Sequence, residues 1–362
     1  MVHVCVDARM WGHHGIGTFL KNCLQFLAQN PSIDLTLLHY PKDFDTLSGL
    51  CSRSILMSAP IYSVKEQYEL ALKIPRADLF WSPHFNIPLF PILAKKRLVA
   101  VHDVYFLFNY SNLSFKKKCY VKTFYNAALM YSDVVMTGCN AAKKDIEKFC
   151  SIKPKRVEIV PHALKSFGKE DKDQSVQKLP DSYLLYVGRV APHKNLFRLV
   201  EAYERLKCTH PLVVVGVFKP PFSDYQKTLL DYVNRSSYLS RSVLFVGEVG
   251  DTDLSKIYSQ AELLVFPSYY EGYGLPPLEA MLFDCPVVAS NIAPVQEVCG
   301  EAVEYIDPYS VDSICKGIVR LMEDRKRRQY LIEKGREQIQ YYTPENMTKR
   351  LLEVIDVCCS RP

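Results

Sequence analysis

Tyr183-Leu184-Leu185-Tyr186-Val187-Gly188-Arg189-Val190-Ala191-Pro192-His193-Lys194-Asn195 reads as a strand that stops on a glycine and opens into a polar loop. Its hydrophobic run has no polar alternation, so the strand is expected to be covered on both faces, as in a parallel sheet. The pattern recurs downstream. Leu212–Gly216 and Val243–Gly247 also run into a glycine, and the three glycines are 28 and 31 residues apart. One strand–helix–strand unit takes about 30 residues. Further strands are expected at Leu263–Phe266 and Val287–Ser290. Helices are expected at Leu196–Leu206, Gln226–Asn234, Leu254–Ser259 and Leu275–Phe283.

The same rhythm fills the first half. Strands are expected at Val2–Val6, Leu35–His39, Leu79–Trp81, Leu98–His102, Val134–Thr137 and Val157–Val160. Helical stretches lie between them: Gly17–Gln29, Val64–Leu72, Phe115–Met130 and Ala141–Phe149. From Ala163 to Pro180 the chain turns polar and loses apolar periodicity, which marks a linker. The last 50 residues read as helical and end in Pro344–Val357. At 362 residues the length suits two domains of about 150 residues each. The expected fold class is therefore α/β. It has one parallel-sheet domain over 1–165, a linker over 166–180, a second such domain over 181–342 and a terminal helix over 343–362.

Composition narrows the function classes. Hydrophobic residues make up 48% and charged residues 23%, which excludes a disordered or fibrous chain. The net charge of +6 is unevenly spread. Residues 1–165 hold 21 Lys/Arg and 12 Asp/Glu, a net +9; residues 166–362 hold 24 and 27, a net −3. An anionic partner is expected to meet the first half, and nothing in the chain suggests nucleic acid. Asp7 and Arg9 interrupt the N-terminal apolar run, unlike a signal peptide. No apolar stretch approaches ~18 residues, so no membrane span is expected. The 12 cysteines include no Cys-x-x-Cys pair and several sit in apolar runs, the usage of a reducing cytoplasm.

Ligands of such sheets bind beyond the carboxyl ends of the strands, so chemistry is sought in the loops that follow them. Gly12-His13-His14-Gly15-Ile16-Gly17 follows the first strand and opens a helix. Its glycines permit close backbone approach and the helix start offers N–H groups to an anion; a tight strand–helix turn is the plainer reading. Arg189 and Lys194 share one post-strand loop, where a planar fork and a point charge suit a diphosphate. Asn195 is placed to cap the next helix. Glu271-Gly272-Tyr273-Gly274-Leu275-Pro276-Pro277-Leu278-Glu279 follows Leu263–Phe266. Its prolines suit a first helical turn, and its two carboxylates suit sugar or ribose hydroxyls. Val101-His102-Asp103 ends another strand; Asp103 is expected to orient His102 or hold a substrate hydroxyl. The remaining histidines show no metal-ligand spacing. Asp251-Thr252-Asp253 reads as the cap of a helix starting near Leu254.

Taken together, these residues resemble the retaining glycosyltransferases of family 4, and among them the mannosyltransferase-like members. Glu271-x₇-Glu279 with Gly188–Asn195 upstream carries the resemblance, supported by Gly15-Ile16-Gly17, Val101-His102-Asp103, Phe266-Pro267-Ser268, Ala289-Ser290-Asn291 and Glu297-Val298-Cys299-Gly300. Cys139-Asn140 stands where the family often has a serine, and Pro294-Val295-Gln296-Glu297 replaces a usual Leu-Pro-Glu. Both departures bear on specificity rather than on the diphosphate contacts.

The resemblance implies a GT-B fold: two Rossmann-like domains facing across a cleft, with the last helix crossing back to the first domain. It implies transfer of a hexose from a nucleotide sugar to a glycan or lipid-linked acceptor, with retention, as in polysaccharide or lipopolysaccharide synthesis. Arg189 and Lys194 would neutralise the leaving diphosphate, Glu279 would bind the ribose and Glu271 the sugar hydroxyls. His102 and Asp103 would act at the donor sugar. Gly15, Gly17, Gly272, Tyr273, Gly274 and Leu275 would line the donor site. No metal and no further cofactor are implied. Val-His-Asp points to GDP-mannose, with UDP- and dTDP-hexoses left open. The acceptor would meet the first domain. Lys116, Lys117, Lys118 and Lys122 cluster there with Phe115, Tyr120, Phe124 and Tyr125, a pattern suited to reversible contact of a cytoplasmic enzyme with anionic membrane. Two other readings stay open: a sugar-nucleotide-binding protein without turnover, and a two-domain oxidoreductase. The second lacks its G-x-G-x-x-G fingerprint.

Overall fold

The computed structural model of the chain describes residues 1–13, 15–165 and 179–360. The expected linker at 166–180 lies almost wholly outside the described residues, as does His14. The described residues form two compact units. One holds those up to Lys165 together with those from Tyr342 onward; the other holds those between.

The first unit is built on seven parallel strands: β1 Val2–Asp7, β2 Ile33–His39, β3 Arg53–Leu56, β4 Ala77–Ser82, β5 Ala94–Ala100, β6 Val134–Thr137 and β7 Val157–Ile159. They lie in the order β3-β2-β1-β4-β5-β6-β7. Alternate residues of β1, β4 and β6, and of the second half of β5, enter different cores, which is why these stretches read as apolar runs. Val4, Val6, Leu79 and Trp81 pack with Leu20 and Leu24 of the helix Ile16–Leu27. Cys5 and Phe80, between them in sequence, pack instead with Leu70 of the helix Val64–Lys73. Val99 and Val135 pack with Val121 and Phe124 of the helix Phe115–Tyr131.

The helix Pro344–Cys359 belongs to this same unit. Met347, Leu351, Val354, Ile355 and Cys358 join the core of Leu20 and Leu24. Thr343 caps the helix by accepting from Asn346 N–H, and Pro344 occupies its first turn.

The second unit repeats the plan with six parallel strands: β8 Tyr183–Val187, β9 Leu212–Val215, β10 Val243–Gly247, β11 Ala261–Phe266, β12 Val287–Ser290 and β13 Glu304–Ile306. Their order is β10-β9-β8-β11-β12-β13. In both sheets the order reverses once, between β1 and β4 and between β8 and β11. At such a reversal the loops leave on opposite sides and open a crevice at the strands' carboxyl ends, where ligands of these sheets bind. β3 and β13 were not expected. Both are edge strands of three or four residues with a charged first position, too short and mixed to stand out as apolar runs.

Candidate active site

The loops at the β8/β11 reversal are tied together by their own backbones. After β8 a single turn of 3₁₀ helix, Pro192–Lys194, ends on Asn195 in the left-handed region at φ 59°. Asn195 was expected to cap the helix Leu196–Leu206 with its side chain. Instead its buried Nδ2 donates to Pro267 O at 2.9 Å and Pro308 O at 2.8 Å, joining the loops after β8, β11 and β13. Tyr269 N–H donates to His193 O at 2.8 Å and makes a second tie.

These ties set Lys194 against Glu271. Lys194 Nζ lies 2.7 Å from each Glu271 oxygen. The Lys194 side chain is 21% exposed and that of Glu271 8%. Arg189 is exposed and forms no ion pair among the described residues. Burial, aided by the charges of Lys194 and Arg189, pushes the His193 imidazole down to about 3.

Past Glu271 the chain enters the helix Leu275–Leu282 through Gly274, which sits at φ 109°, a backbone conformation that favours glycine. Pro276 and Pro277 fill the first turn, where no donor is lost. Gly272 and Leu275 are half-buried; Tyr273 is buried. Glu279, about one turn into the helix, accepts from Tyr258 OH at 3.0 Å. The helix Asp251–Gln260 begins at Asp251, with Gly250 at the cap position and no side-chain cap; Asp251 and Asp253 lie inside its first turn rather than before it.

Other sequence-marked residues lie in the first unit. Gly15 precedes the helix Ile16–Leu27 at φ 76°, and a Cβ on Gly17 would fall 2.3 Å from Trp11 O, so that turn requires a glycine there. His102 follows β5. Its Nε2 is 2.8 Å from Pro83 O, an acceptor only, so Nε2 carries the proton. Burial holds the ring well below its usual range, to about 4, and it is neutral near pH 7. Nδ1 is then an acceptor, and His162 Nε2 donates to it at 3.3 Å. Phe19 packs edge-on against both rings. The orientation expected from Asp103 therefore comes from Pro83 and His162. Asp103 Oδ1 accepts from Tyr105 N–H at 2.9 Å and shapes its own turn.

Sequence reading missed a charged cluster at the β1/β4 reversal. Arg9, 2% exposed, donates from Nε and Nη2 to Asp7 at 2.7 and 2.6 Å, and from Nη2 to Glu66 Oε1 at 2.7 Å. Glu66 also accepts from Asn86 Nδ2 and from Tyr62 N–H, all at 2.8 Å. Among the described residues no group of three or more His, Cys, Asp and Glu side chains stands close enough to hold a metal ion.

Residues 168–338 match the family described as glycosyl transferases group 1. The chain is 33% identical over 183 residues to the O-antigen chain mannosyltransferase B of Escherichia coli, covering 49% of this chain and 47% of that protein. It is 28% identical over 248 residues to the O-antigen chain mannosyltransferase RfbU of Salmonella typhimurium, covering 68% and 66%. The chain thus spans about half the length of the first relative and under two thirds of the second. Among solved structures it overlays sucrose-phosphate synthase from Thermosynechococcus elongatus with a TM-score of 0.78 at 19% identity, covering 99% of both chains. Anabaena HepE, in complex with UDP and glucose, overlays with a TM-score of 0.77 at 14% identity, covering 99% of this chain and 100% of that one. The fold is GT-B. In this GT-B chain the matched segment takes in the loops that carry Arg189, Lys194, Glu271 and Glu279.

Proposed function

We propose that this chain is a hexosyltransferase that moves mannose from GDP-mannose to a glycan or lipid-linked acceptor with retention at the anomeric carbon. The observation that carries the reading is the Lys194–Glu271 contact at the β8/β11 reversal. Residues marked separately in sequence, 77 apart, meet at the place where an α/β sheet takes its ligand. In this reading the arriving diphosphate takes over the Lys194 charge, with Arg189 as the second cation. Glu271, released from Lys194, accepts from hydroxyls of the donor sugar. Glu279 takes the ribose, and Gly272, Tyr273, Gly274 and Leu275 bring the helix start to the nucleotide. In this reading His102, a neutral ring held by Pro83 O, meets the donor sugar together with Asp103, and Gly15 and Gly17 shape the first unit's contribution to the donor site. The two cations and the helix start supply the positive charge, so no metal enters the scheme.

The mannose assignment draws support from the names of the two bacterial relatives. The enzyme works in the cytoplasm, touching anionic membrane reversibly through the basic first unit. No described helix is long and apolar enough to cross a bilayer.

The test is turnover of GDP-mannose, UDP-glucose and dTDP-glucose, each with and without excess EDTA, with NMR of the first-formed product. The expected result is consumption of GDP-mannose, unaffected by EDTA, giving the α-anomer. An inverted anomer, rescue by magnesium, or preference for UDP would each overturn the corresponding part. Binding without consumption would leave a sugar-nucleotide-binding protein.

A further inference from the structure

The β1/β4 reversal encloses a recess that the donor reading leaves unused. Asp7 and Arg9 line it from the end of β1, Ser82, His84 and Asn86 from the end of β4 and its loop, and Ile61 from the loop after β3. It has room for about one water-sized group. Two of its polar side chains are 98% buried, and each has an atom with no hydrogen-bond partner among the described residues: Arg9 Nη1 and Ser82 Oγ. Groups so deeply buried are seldom left unmet.

The charges decide what fits. Arg9 is already answered by Asp7 on two nitrogens and by Glu66 on one of them. A phosphate or carboxylate entering the recess would meet those two carboxylates with no spare positive charge. A neutral hydroxyl suits both open positions. Its oxygen accepts from Arg9 Nη1–H, and its own proton goes to Ser82 Oγ, which accepts as readily as it donates.

Beside the recess runs a wider groove that shares Ile61 and is lined by Tyr40, Lys42, Ser58 and Tyr62. Tyr62 is half-exposed and sits at φ 70°, a strained position for a non-glycine residue. Glu66 holds it there through the Tyr62 N–H, and the same carboxylate holds Asn86 on the recess wall. Three residues along the helix, Glu69 accepts from Ser58 N–H at 2.9 Å and Ala59 N–H at 2.6 Å. Two buried glutamates thus fix the loop whose Ile61 lines both groove and recess. A tyrosine ring face offers an apolar platform for the C–H face of a pyranose.

We propose that the recess binds one hydroxyl of the acceptor sugar, with the ring lying in the Tyr40–Tyr62 groove. Arg9 and Ser82 read that hydroxyl, and Glu66 and Glu69 are positioning residues. The proposal rests on the sugar-transfer reading above and adds where this chain holds the acceptor, and that it does so through a neutral hydroxyl.

The experiment is ligand-observed NMR of the full chain with the methyl α-pyranosides of mannose, glucose and galactose, and with inorganic phosphate as competitor. At least one pyranoside is expected to bind in the millimolar range. Ser82→Ala, which removes a single hydrogen bond, should weaken that binding about five-fold. Ser82→Val fills the recess and should abolish it, while excess phosphate should leave it unchanged. Circular dichroism checks the fold of Ser82→Val; if that variant misfolds, Ser82→Ala carries the test. Failure of all three pyranosides to bind, binding equal in the wild type and the Ser82 variants, or displacement by phosphate would overturn the proposal. Turnover of nucleotide sugars is read separately. Pyranoside binding that depends on Ser82 without turnover would remove the transfer reading and leave the recess; turnover with binding indifferent to Ser82 would do the reverse.

Discussion

Lys194 and Glu271 each have the other as principal partner, so single substitutions at either site change two things at once. Lys194→Ala removes a cation proposed to act in the transition state and also leaves the largely buried Glu271 charge unanswered. The first effect should lower turnover by roughly 10²–10³. The second should lower stability, by less than the ~3–5 kcal/mol of a fully buried pair because Lys194 is partly exposed. Lys194→Met combined with Glu271→Gln separates them. The double variant should recover the melting temperature and still lack turnover, by thermal melts and initial rates; near-normal turnover in Lys194→Ala would sink the clamp assignment. These two residues were legible because each sits in a local pattern, a post-strand loop or a glycine–proline helix start. Arg9 was not. Its partner Glu66 is 57 residues away, and only the parallel order of β1, β3 and β4 brings the helix Val64–Lys73 against it. His162 was hidden for the same reason, 60 residues from the His102 ring that it orients.

Among the elements, the helix Phe115–Tyr131 resolves what its sequence left mixed. Val121, Phe124, Tyr125 and Ala128 are buried and Tyr120 stacks on Phe124, so most of its aromatic residues serve the core. The N-terminal turn behaves differently. Phe115 is 80% exposed, Lys116 and Lys117 are exposed, and Lys118 Nζ lies 5.5 Å over the Tyr110 ring. Phe106 and Phe108 of the preceding turn are exposed as well. The stretch from 106 to 118 thus presents apolar rings beside lysines, the combination that settles at a lipid headgroup layer. Each lysine near an anionic surface contributes about 1 kcal/mol, so three converted to glutamate should abolish binding. In co-sedimentation, binding to anionic vesicles is expected at low salt and should fall as salt rises. Neutral vesicles should bind little, and Lys116–Lys118→Glu should bind neither. Equal binding to both lipids, or no change in the variant, would leave the basic first unit without a membrane role. Strands that are mostly apolar were legible, the edge strands Val157–Ile159 and Val243–Gly247 among them. The edge strands β3 and β13 and the charged first half of β5 were not, since one side of an edge faces solvent and residues there need not be apolar, and Lys95, Lys96 and Arg97 break the run in β5.

At the scale of the whole molecule, the α/β class and the twofold repetition of the fold followed from strand–helix alternation in both halves, with the chain's length, the polar stretch after Ala163 and, in the second half, the spacing of strand-ending glycines. The destination of the C-terminal helix did not follow from its periodicity, which shows an apolar face without naming the core that receives it. The structure puts that face in the first unit, whose core is closed by the helix Pro344–Cys359. Met347, Leu351, Val354 and Ile355 are at most 1% exposed. Burying such side chains contributes about 1.5–3 kcal/mol each, an upper estimate that for four sums to roughly 6–12 kcal/mol. That is comparable to the ~5–15 kcal/mol net stability of an ordinary domain. Cutting the chain after Tyr341 should therefore unfold the first unit while sparing the second, whose own core contains none of these residues. Hydrogen exchange distinguishes the two units directly. Amides of β1, β4 and β5 should lose protection in the truncated chain, and those of β8, β9 and β11 should keep it. Strand protection retained in both units would mean that the helix is an ornament on a first unit that folds alone, and that the core of this unit is complete without Pro344–Cys359.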